Sequence, residues 1–278
     1  MEESSALLRE FKSKDKKGAV AKLERLVLAG RDKLHLVLDF DRTLTIRHKD
    51  DNAEVTTWRL LNTSLPLPRR ETAARLYAKH RPPEARGKMD EAEAIVWWSS
   101  VLNLYPGSGL RLPDLAIKAK SEIPAREGAN ELFDACIAKG IPTVIISAGI
   151  KDIIDIWCEN LGVRPTRVIS TKLRCDDEGY ICGWDRDSLV HILNKTEKGK
   201  ETLAGIKKNR PNIFLVGDSL DDADMAQGSE NVLRFIIDNP RSDDIRTQEF
   251  YDKIFDKFDF VLPGDSLLPL VEIIKSIN

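Results

Sequence analysis

Two aspartates, one residue apart, follow a short apolar run near the start of the chain. The run at 34–38 leads into Asp39 and Asp41, and Thr43 comes two residues later. Side chains alternate between faces along a strand, so both carboxylates are expected to point the same way. A short apolar run is typical of a buried strand in a parallel sheet, and ligands of such sheets bind at the carboxyl ends of the strands. The pair is therefore a candidate site for chemistry.

Like charges this close destabilise each other unless a proton or a cation joins them, and we hypothesise that Mg²⁺ does so. A third carboxylate, Asp218, follows the apolar run 212–216 and is placed to complete a site for this cation. Asp222, one helical turn further on, can face the same spot and support the metal ligands. The alternative for both stretches is an acidic strand-to-loop junction or helix start without a metal.

A hydroxyl and an ammonium group could hold a phosphate near these acids. Ser147 ends the apolar run 142–147, and small residues and a helix follow it. Its hydroxyl and the free N–H groups of a helix start can bind phosphate oxygens, although serine is also a common N-cap. Lys195 could neutralise a phosphoryl group and a carboxylate nucleophile. Several other lysines lie nearby, so composition alone does not select it.

The order of apolar and amphipathic segments predicts an α/β protein. Strands alternate with helices from 126 onward, which predicts a Rossmann-like parallel sheet with right-handed crossovers and helices on both faces. The expected strands are 34–40, 142–147, 167–170, 212–216, 233–237 and 258–262, with a hairpin at 173–183. The expected helices are 6–29, 127–140, 149–161, 200–208, 222–227, 243–255 and 266–276.

The segment from 47 to 124 shows no clear strand and reads as a helical cap inserted after the first strand. Helical stretches alternate there with breakers such as Pro82 and Pro83, and three of the five tryptophans fall in it. The predicted domains are an α/β core at 1–46 and 125–278 and a cap at 47–124. Because the cap leaves the sheet just after the acidic pair, it can close over that pair as a lid.

Composition gives no indication of a nucleic-acid or membrane partner. The chain has 278 residues and a formal net charge of −2. No apolar run approaches the ~20 residues of a membrane span, and the charged N-terminus lacks a secretory signal. We expect a cytoplasmic monomer. The four cysteines show no metal-ligand spacing, and Cys175 and Cys182, which could face each other across the hairpin, are expected to be reduced thiols.

The acid pair, serine, lysine and second acidic segment together resemble the four motifs of the haloacid dehalogenase-like phosphohydrolases, over about 34–262. Within that superfamily the chain looks closest to the cytosolic pyrimidine 5′-nucleotidases of the third type. The matching motifs are Asp39-Phe40-Asp41-Arg42-Thr43, Ser147, Lys195 and Gly217-Asp218-Ser219-x-x-Asp222, with supporting segments Arg126-Glu127-Gly128, Ile146-Ser147-Ala148-Gly149-Ile150 and Leu189-Val190-His191-x-x-Asn194-Lys195.

The resemblance implies a two-step mechanism with an aspartyl-phosphate intermediate. Asp39 would attack phosphorus, and Asp41 would protonate the leaving oxygen and then activate water. Mg²⁺ would be held by Asp39, the main-chain carbonyl of Asp41, and Asp218. The phosphoryl oxygens would be held by Thr43, Ser147, the amide of Ala148 and Lys195.

The resemblance also implies two base-binding residues in the cap. The segment Leu76-Tyr77-x-Lys79-x-x-Pro82-x-Glu84 is similar to one that carries a base-recognising glutamate, which places Glu84 opposite an exocyclic amine. Trp58 falls where the family has a base-stacking residue, and its indole would suit a cationic ring such as 7-methylguanosine. A solvated acid and a core tryptophan are the respective alternatives.

These features imply a Mg²⁺-dependent 5′-nucleotidase acting on nucleoside 5′-monophosphates such as CMP, UMP or 7-methyl-GMP. One alternative is a phosphatase of the same superfamily acting on a small non-nucleotide ester such as phosphoserine. Another is a non-catalytic module that accepts phosphate on Asp39 or binds it. The acid at Asp41 favours hydrolysis over a stable phosphorylated state.

Overall fold

A parallel six-stranded sheet forms the centre of the molecule. The computed structural model describes residues 11–48, 54–85, 88–238, 247–262 and 265–278. The strands are β1 (Leu34–Leu38), β2 (Thr143–Ile150), β3 (Arg167–Thr171), β4 (Leu173–Cys175), β5 (Ile181–Trp184), β6 (Asn212–Gly217), β7 (Asn231–Ile237) and β8 (Phe260–Leu262). The sheet order is β3-β2-β1-β6-β7-β8, and β4 and β5 form the separate antiparallel hairpin that the sequence predicts.

Helices in the described residues surround the sheet and form the insertion. Their bounds are α1 (Lys16–Leu28), α2 (Thr57–Ser64), α3 (Leu67–Ala85), α4 (Glu91–Leu102), α5 (Leu112–Glu122), α6 (Ala129–Lys139), α7 (Lys151–Leu161), α8 (Lys195–Lys207), α9 (Gln248–Lys257) and α10 (Leu268–Ser276). The α/β parallel-sheet fold expected from the sequence is therefore confirmed.

The sheet has an apolar layer on each face because side chains alternate along its strands. In β1, Leu36 and Leu38 belong to one cluster of buried residues, which also includes residues of α1, α6, α7 and α10. Val37 belongs to the other cluster, with Leu203 of α8 and Ile254 of α9. All five residues of β1 are buried, as a central parallel strand requires.

The strands that carry the predicted site residues are neighbours in the sheet. Leu38 of β1 is in register with Ile145 of β2 and with Val216 of β6. The residues that follow these positions along each parallel strand therefore meet at one edge of the sheet.

The described part of the insertion contains α2, α3, α4 and α5 and no strand of the sheet. An antiparallel bridge pairs Thr45 with Ala125, at the two points where the chain leaves and re-enters the α/β part. This bridge supports the predicted boundaries near 46 and 125, and the division into two domains remains a prediction.

Aromatic packing occupies the inside of the insertion. Trp97 lies between the ring of His80, at 5.6 Å, and that of Trp98, at 4.6 Å. Trp98 also makes an edge contact with Trp58 at 6.4 Å. These tryptophans therefore form a small core of the inserted helices.

Several predicted helices differ from those observed. The helix predicted at 6–29 starts at Lys16 with Asp15 as its N-cap, and residues 1–10 lie outside the described part. Phe11 instead packs edge-on against Phe260 at 5.5 Å, because the chain at Lys12 pairs with Val261. The predicted helix 200–208 begins five residues earlier, at Lys195.

Three other predictions are also changed. Pro82 and Pro83, predicted as breakers between helices, lie inside the last turn of α3, which ends at Ala85. The helix predicted at 222–227 is a 3₁₀-helix at Leu220–Asp224. The helix predicted at 243–255 is seen as α9, and its residues 243–246 lie outside the described part.

Two further observations concern the chain as a whole. No helix in the described ranges has both the length and the apolar character needed to cross a bilayer. The four cysteines are free, so the prediction of reduced thiols at Cys175 and Cys182 agrees with the structure.

Candidate active site

The first acid lies at the end of β1, in a tight turn. The backbone N–H of Asp39 donates to the carbonyl of Val216 at 3.0 Å, which continues the pairing of β1 with β6. Arg42 adopts a left-handed conformation with φ of 66°. This turn brings Thr43 back toward the strand end, and its hydroxyl donates to Asp39 Oδ2 at 3.3 Å.

The structure brings Lys195 to the same place. Its Nζ lies 2.7 Å from Asp39 Oδ1 and 2.6 Å from Asp222 Oδ1, and all three side chains are buried. Asn194 prepares this position, because its side chain accepts from the N–H of His191 at 2.8 Å and donates to the Leu189 carbonyl at 3.1 Å. The loop before α8 is thus closed so that Lys195 points inward.

The second acidic segment is folded around Asp222. Asp222 Oδ2 accepts from the backbone N–H groups of Asp218 and Ser219, each at 3.0 Å. Gly217 makes this possible, since a Cβ there would lie 2.4 Å from the Cβ of Asp222. Both oxygens of Asp222 therefore have protein partners, which agrees with the supporting role predicted for it.

The acidic cluster has the donors that a hard divalent cation requires. Asp39, Asp218 and Asp222 each offer a carboxylate oxygen, and these oxygens lie within 4.8 Å of one another. Arg42 Nε lies 3.1 Å from Asp218 Oδ2. These three carboxylates face two cationic side chains, Lys195 and Arg42, which leaves a formal charge of −1. The residues present therefore fit a divalent cation with oxygen ligands.

The burial of these charges shifts the pKa values of the cluster. Burial raises the pKa of Asp39 to about 8, and Asp222 and Asp218 act in the same direction while Lys195 opposes them. Burial also acts to raise the pKa of Asp222, but Lys195 and the hydrogen bonds at Ser219 outweigh it and the pKa is lowered. Lys195 keeps a pKa above its usual value despite burial, because both carboxylates favour the ammonium.

The carboxylate of Asp41 lies apart from this cluster and contacts the inserted helices. Its Oδ1 accepts from the N–H of Thr57 at 2.9 Å and its Oδ2 from the Thr57 hydroxyl at 3.0 Å. Burial raises the pKa of Asp41 to about 6, and the Thr57 N–H acts against the rise. A carboxyl group with this pKa can both give and take a proton near neutral pH.

The carboxyl end of β2 carries the predicted phosphate ligands. Ser147 is buried, and its hydroxyl accepts from the N–H of Gly149 at 3.1 Å. The carbonyl of Ala148 accepts from the indole N–H of Trp58 at 2.9 Å and from that of Trp98 at 3.3 Å. The inserted helices thus contact the end of this strand directly.

The two predicted base-binding residues lie on the insertion. Trp58 is half-buried and its Nε1 is engaged by Ala148, so its position is fixed by a hydrogen bond as well as by packing. Glu84 forms an ion pair with Arg81 near the end of α3, and its side chain is 11% exposed.

Three residues at the site were not assigned from the sequence. Thr57 holds Asp41, and Arg42 pairs with Asp218. Arg126 is 1% exposed, and it donates to the carbonyls of Thr43 at 2.7 Å and Thr45 at 3.0 Å. Arg126 stands in one of the quoted segments, but only the folded turn shows that its guanidinium holds the backbone after Asp41.

The fold and site define a class, the haloacid dehalogenase-like hydrolases. A substrate-bound phosphoserine phosphatase is superposed with a TM-score of 0.56 over 89% of this chain and 99% of that one, at 19% identity, and shows the shared fold. A family model for pyrimidine 5′-nucleotidase (UMPH-1) matches residues 42–278. The chain belongs to this family and is a phosphoric monoester hydrolase of the 5′-nucleotidase type.

Named relatives agree with this assignment. The chain is 28% identical over 269 residues to 7-methylguanosine phosphate-specific 5′-nucleotidase A of Xenopus laevis, covering 93% of this chain and 92% of that protein. The human 7-methylguanosine phosphate-specific 5′-nucleotidase is 26% identical, over 87% of this chain and 83% of that protein. The crystal structure of cytosolic 5′-nucleotidase IIIB bound to cytidine has a TM-score of 0.78 at 26% identity, covering 96% of this chain and 93% of that one.

Proposed function

We propose that the protein hydrolyses nucleoside 5′-monophosphates with Mg²⁺ and an aspartyl-phosphate intermediate on Asp39. The observation that supports this most is the meeting of Lys195 with Asp39 and Asp222 at the strand ends, at 2.7 and 2.6 Å. A nucleophile, a phosphate-neutralising cation and an acidic cluster then surround one point. Phosphoryl transfer depends mainly on such positioning and charge neutralisation.

In the first step an oxygen of Asp39 attacks phosphorus while the bond to the 5′-oxygen breaks. Lys195 neutralises charge on the phosphoryl group, and the hydroxyls of Thr43 and Ser147 with the N–H of Ala148 hold its oxygens. The Asp41 carboxyl gives its proton to the leaving 5′-oxygen. The products are the free nucleoside and the phosphorylated aspartate.

In the second step Asp41, now a carboxylate, takes a proton from a water molecule that attacks phosphorus. Its pKa of about 6 suits both the acidic and the basic role. The bond from phosphorus to the Asp39 oxygen breaks, and inorganic phosphate leaves. Mg²⁺, held by Asp39, Asp218 and the carbonyl of Asp41, would stabilise the charge on the phosphoryl oxygens in both steps.

The substrate is proposed to be a pyrimidine nucleotide such as CMP or UMP, or 7-methyl-GMP. Relatives with 7-methylguanosine phosphate in their names and a neighbour bound to cytidine support this range. Trp58 would offer its indole to the base, and Glu84 would accept from an exocyclic amine. The indole of Trp58 is held beside Ala148 at the carboxyl end of β2, which is consistent with its role.

A phosphate-release assay on a panel of esters tests the proposal. The panel contains CMP, UMP, 7-methyl-GMP and phosphoserine, each with and without Mg²⁺. We expect Mg²⁺-dependent release from at least one nucleotide at a kcat/KM well above that for phosphoserine. Faster turnover of phosphoserine would assign the protein to the small-ester phosphatases instead. Phosphorylation of the protein without release would indicate a non-catalytic phosphate acceptor.

We also propose that the protein acts as a cytoplasmic monomer without nucleic-acid or membrane partners. The near-neutral charge of −2 supports this, since it provides no general attraction to polyanions. Light scattering at assay concentration tests the monomer, and a stable dimer that changes kcat would contradict it.

A further inference from the structure

We propose that Thr57 is a positioning residue that fixes the proton-donating carboxyl of Asp41, and that it does so only while the first turn of α2 is docked on the α/β part. This inference rests on the proposed function, since it concerns the acid–base step of that reaction. Thr57 is fully buried and stands at the first position of α2.

The contacts of Asp41 come from Thr57 on both of its oxygens. Oδ1 accepts from the backbone N–H at 2.9 Å, and Oδ2 accepts from the hydroxyl at 3.0 Å. Two hydrogen bonds to separate oxygens fix both the position and the rotation of a carboxylate. Asp39 and Asp222, in contrast to Asp41, contact Lys195 and are therefore held by the α/β part itself.

The same turn of α2 is hydrogen-bonded to the carboxyl end of β2. The Thr57 hydroxyl accepts from the N–H of Ile150 at 3.2 Å, and the adjacent Trp58 donates to the Ala148 carbonyl at 2.9 Å. The hydroxyl thus accepts from β2 and donates to Asp41, which uses its one hydrogen and fixes its direction. Docking of the helix and orientation of the acid therefore depend on the same group.

Gly149 leaves the space for this contact. A Cβ at this position would lie 2.5 Å from Thr57 Oγ1, 3.0 Å from Asp41 Oδ2 and 3.1 Å from Ser147 Oγ. Any side chain there would push the threonine and the acid apart. The close approach of α2 therefore explains why a glycine occupies this position.

The chemical consequence depends on the leaving group. A 5′-alkoxide is a poor leaving group and needs the proton of Asp41 as its bond to phosphorus breaks. A p-nitrophenolate ion leaves without a proton. A misplaced acid therefore slows the first step for an alkyl ester and leaves it nearly unchanged for an aryl ester. General structural damage would slow both.

The experiment compares kcat/KM for a nucleoside 5′-monophosphate and for p-nitrophenyl phosphate, because kcat/KM reports the first irreversible step whichever step limits kcat. We expect Thr57→Val to lower the nucleotide value by about 10- to 100-fold and the aryl ester value by less than about threefold. Thr57→Ser, which keeps the hydroxyl, should stay within about threefold for both.

The matched control is Thr63→Val, the same substitution on the same helix. The Thr63 hydroxyl donates only to carbonyls of its own helix, at 2.8 Å to Arg59 and 3.3 Å to Leu60, so both values should stay near those of the wild type. If Thr57→Val does not fold, Thr57→Ala, which also lacks the hydroxyl but is smaller, takes its place and should give the same alkyl-selective loss.

Equal losses on both esters, or no loss in the folded variant that lacks the Thr57 hydroxyl, would overturn the inference. Failure of the proposed function gives a different result. In that case the wild type does not cleave nucleotides, and the comparison is made with phosphoserine, another alkyl ester. The ratio of alkyl to aryl ester hydrolysis then still tests Thr57.

Discussion

Lys195 and Asp39 are separated by 156 residues in sequence, yet Lys195 Nζ lies 2.7 Å from Asp39 Oδ1 in a buried site. The parallel pairing of β1 with its neighbours and the closed loop before α8 produce this contact. Asp222 completes it at 2.6 Å. Lys195 favours the ionised form of Asp39, the form that attacks phosphorus, against the opposing effects of burial and of Asp222.

Removal of the Lys195 ammonium group should abolish most of the activity. We expect Lys195→Met to lower kcat for nucleotide hydrolysis by about 10²–10³-fold, because a donor to the transition-state charge is lost. Lys200→Met is the matched control, since Lys200 is exposed on the same helix. Steady-state phosphate release measures both. Near-normal turnover in Lys195→Met would contradict the role assigned to it.

Replacement of Arg42 should change metal binding. Its Nε lies 3.1 Å from Asp218 Oδ2, so its charge competes with a cation for a proposed ligand. We expect Arg42→Met to bind Mg²⁺ on the order of tenfold more tightly, measured by calorimetry without substrate. The exposed Arg59 provides the control, as Arg59→Met. Weaker Mg²⁺ binding in Arg42→Met would show that Arg42 supports the site instead.

Substitution of Glu84 should alter base preference. If its carboxylate accepts from an exocyclic amine, Glu84→Gln lowers kcat/KM for CMP by about tenfold relative to UMP, which lacks that amine. Glu71→Gln, at an exposed position of the same helix, should keep the wild-type ratio. An unchanged CMP to UMP ratio in Glu84→Gln would remove Glu84 from base recognition.

The buried His35 should make stability depend on pH. Burial in β1 lowers its pKa from 6.5 to about 4, so the unfolded chain binds its proton first as pH falls. The stability that the neutral ring contributes is present above pH 6.5 and is lost as pH falls toward 4, by up to about 3 kcal/mol.

His35→Leu should flatten this part of the stability profile, measured by urea unfolding from pH 7.5 to 4.5. At pH 7.5 the histidine is neutral in both states, so that point serves as the reference. A variant with the same slope as the wild type would show that other groups cause the pH dependence.

Much of the fold could be read from the sequence because its signals are local. Three strands and their polar ends could be recognised from apolar runs alone. These are the run at 34–38 and the segments that end at Ser147 and Gly217. Gly140, with φ of 64°, forms the C-cap of α6 at the end of the predicted helix 127–140. The assembly of three strand ends then followed from the rules of parallel sheets.

The rest depended on contacts between distant segments. Thr57 has no local feature that marks it, since a threonine at a helix start is common and its bonds to Asp41 and Ile150 exist only in the folded chain. Phe11 was placed on a helix because its neighbours fit a helical period, but pairing of Lys12 with Val261 determines its position.

The most direct test of the central claim is the chemical identity of the intermediate. Asp41→Asn keeps the shape of the acid but cannot activate water, so phosphorylated protein should accumulate. The variant is mixed with Mg²⁺ and p-nitrophenyl phosphate, whose leaving group needs no proton from Asp41, then quenched in acid and analysed by peptide mass spectrometry. The account predicts phosphate on Asp39 and slow release. Full turnover in this variant, or phosphate on any other residue, would contradict it.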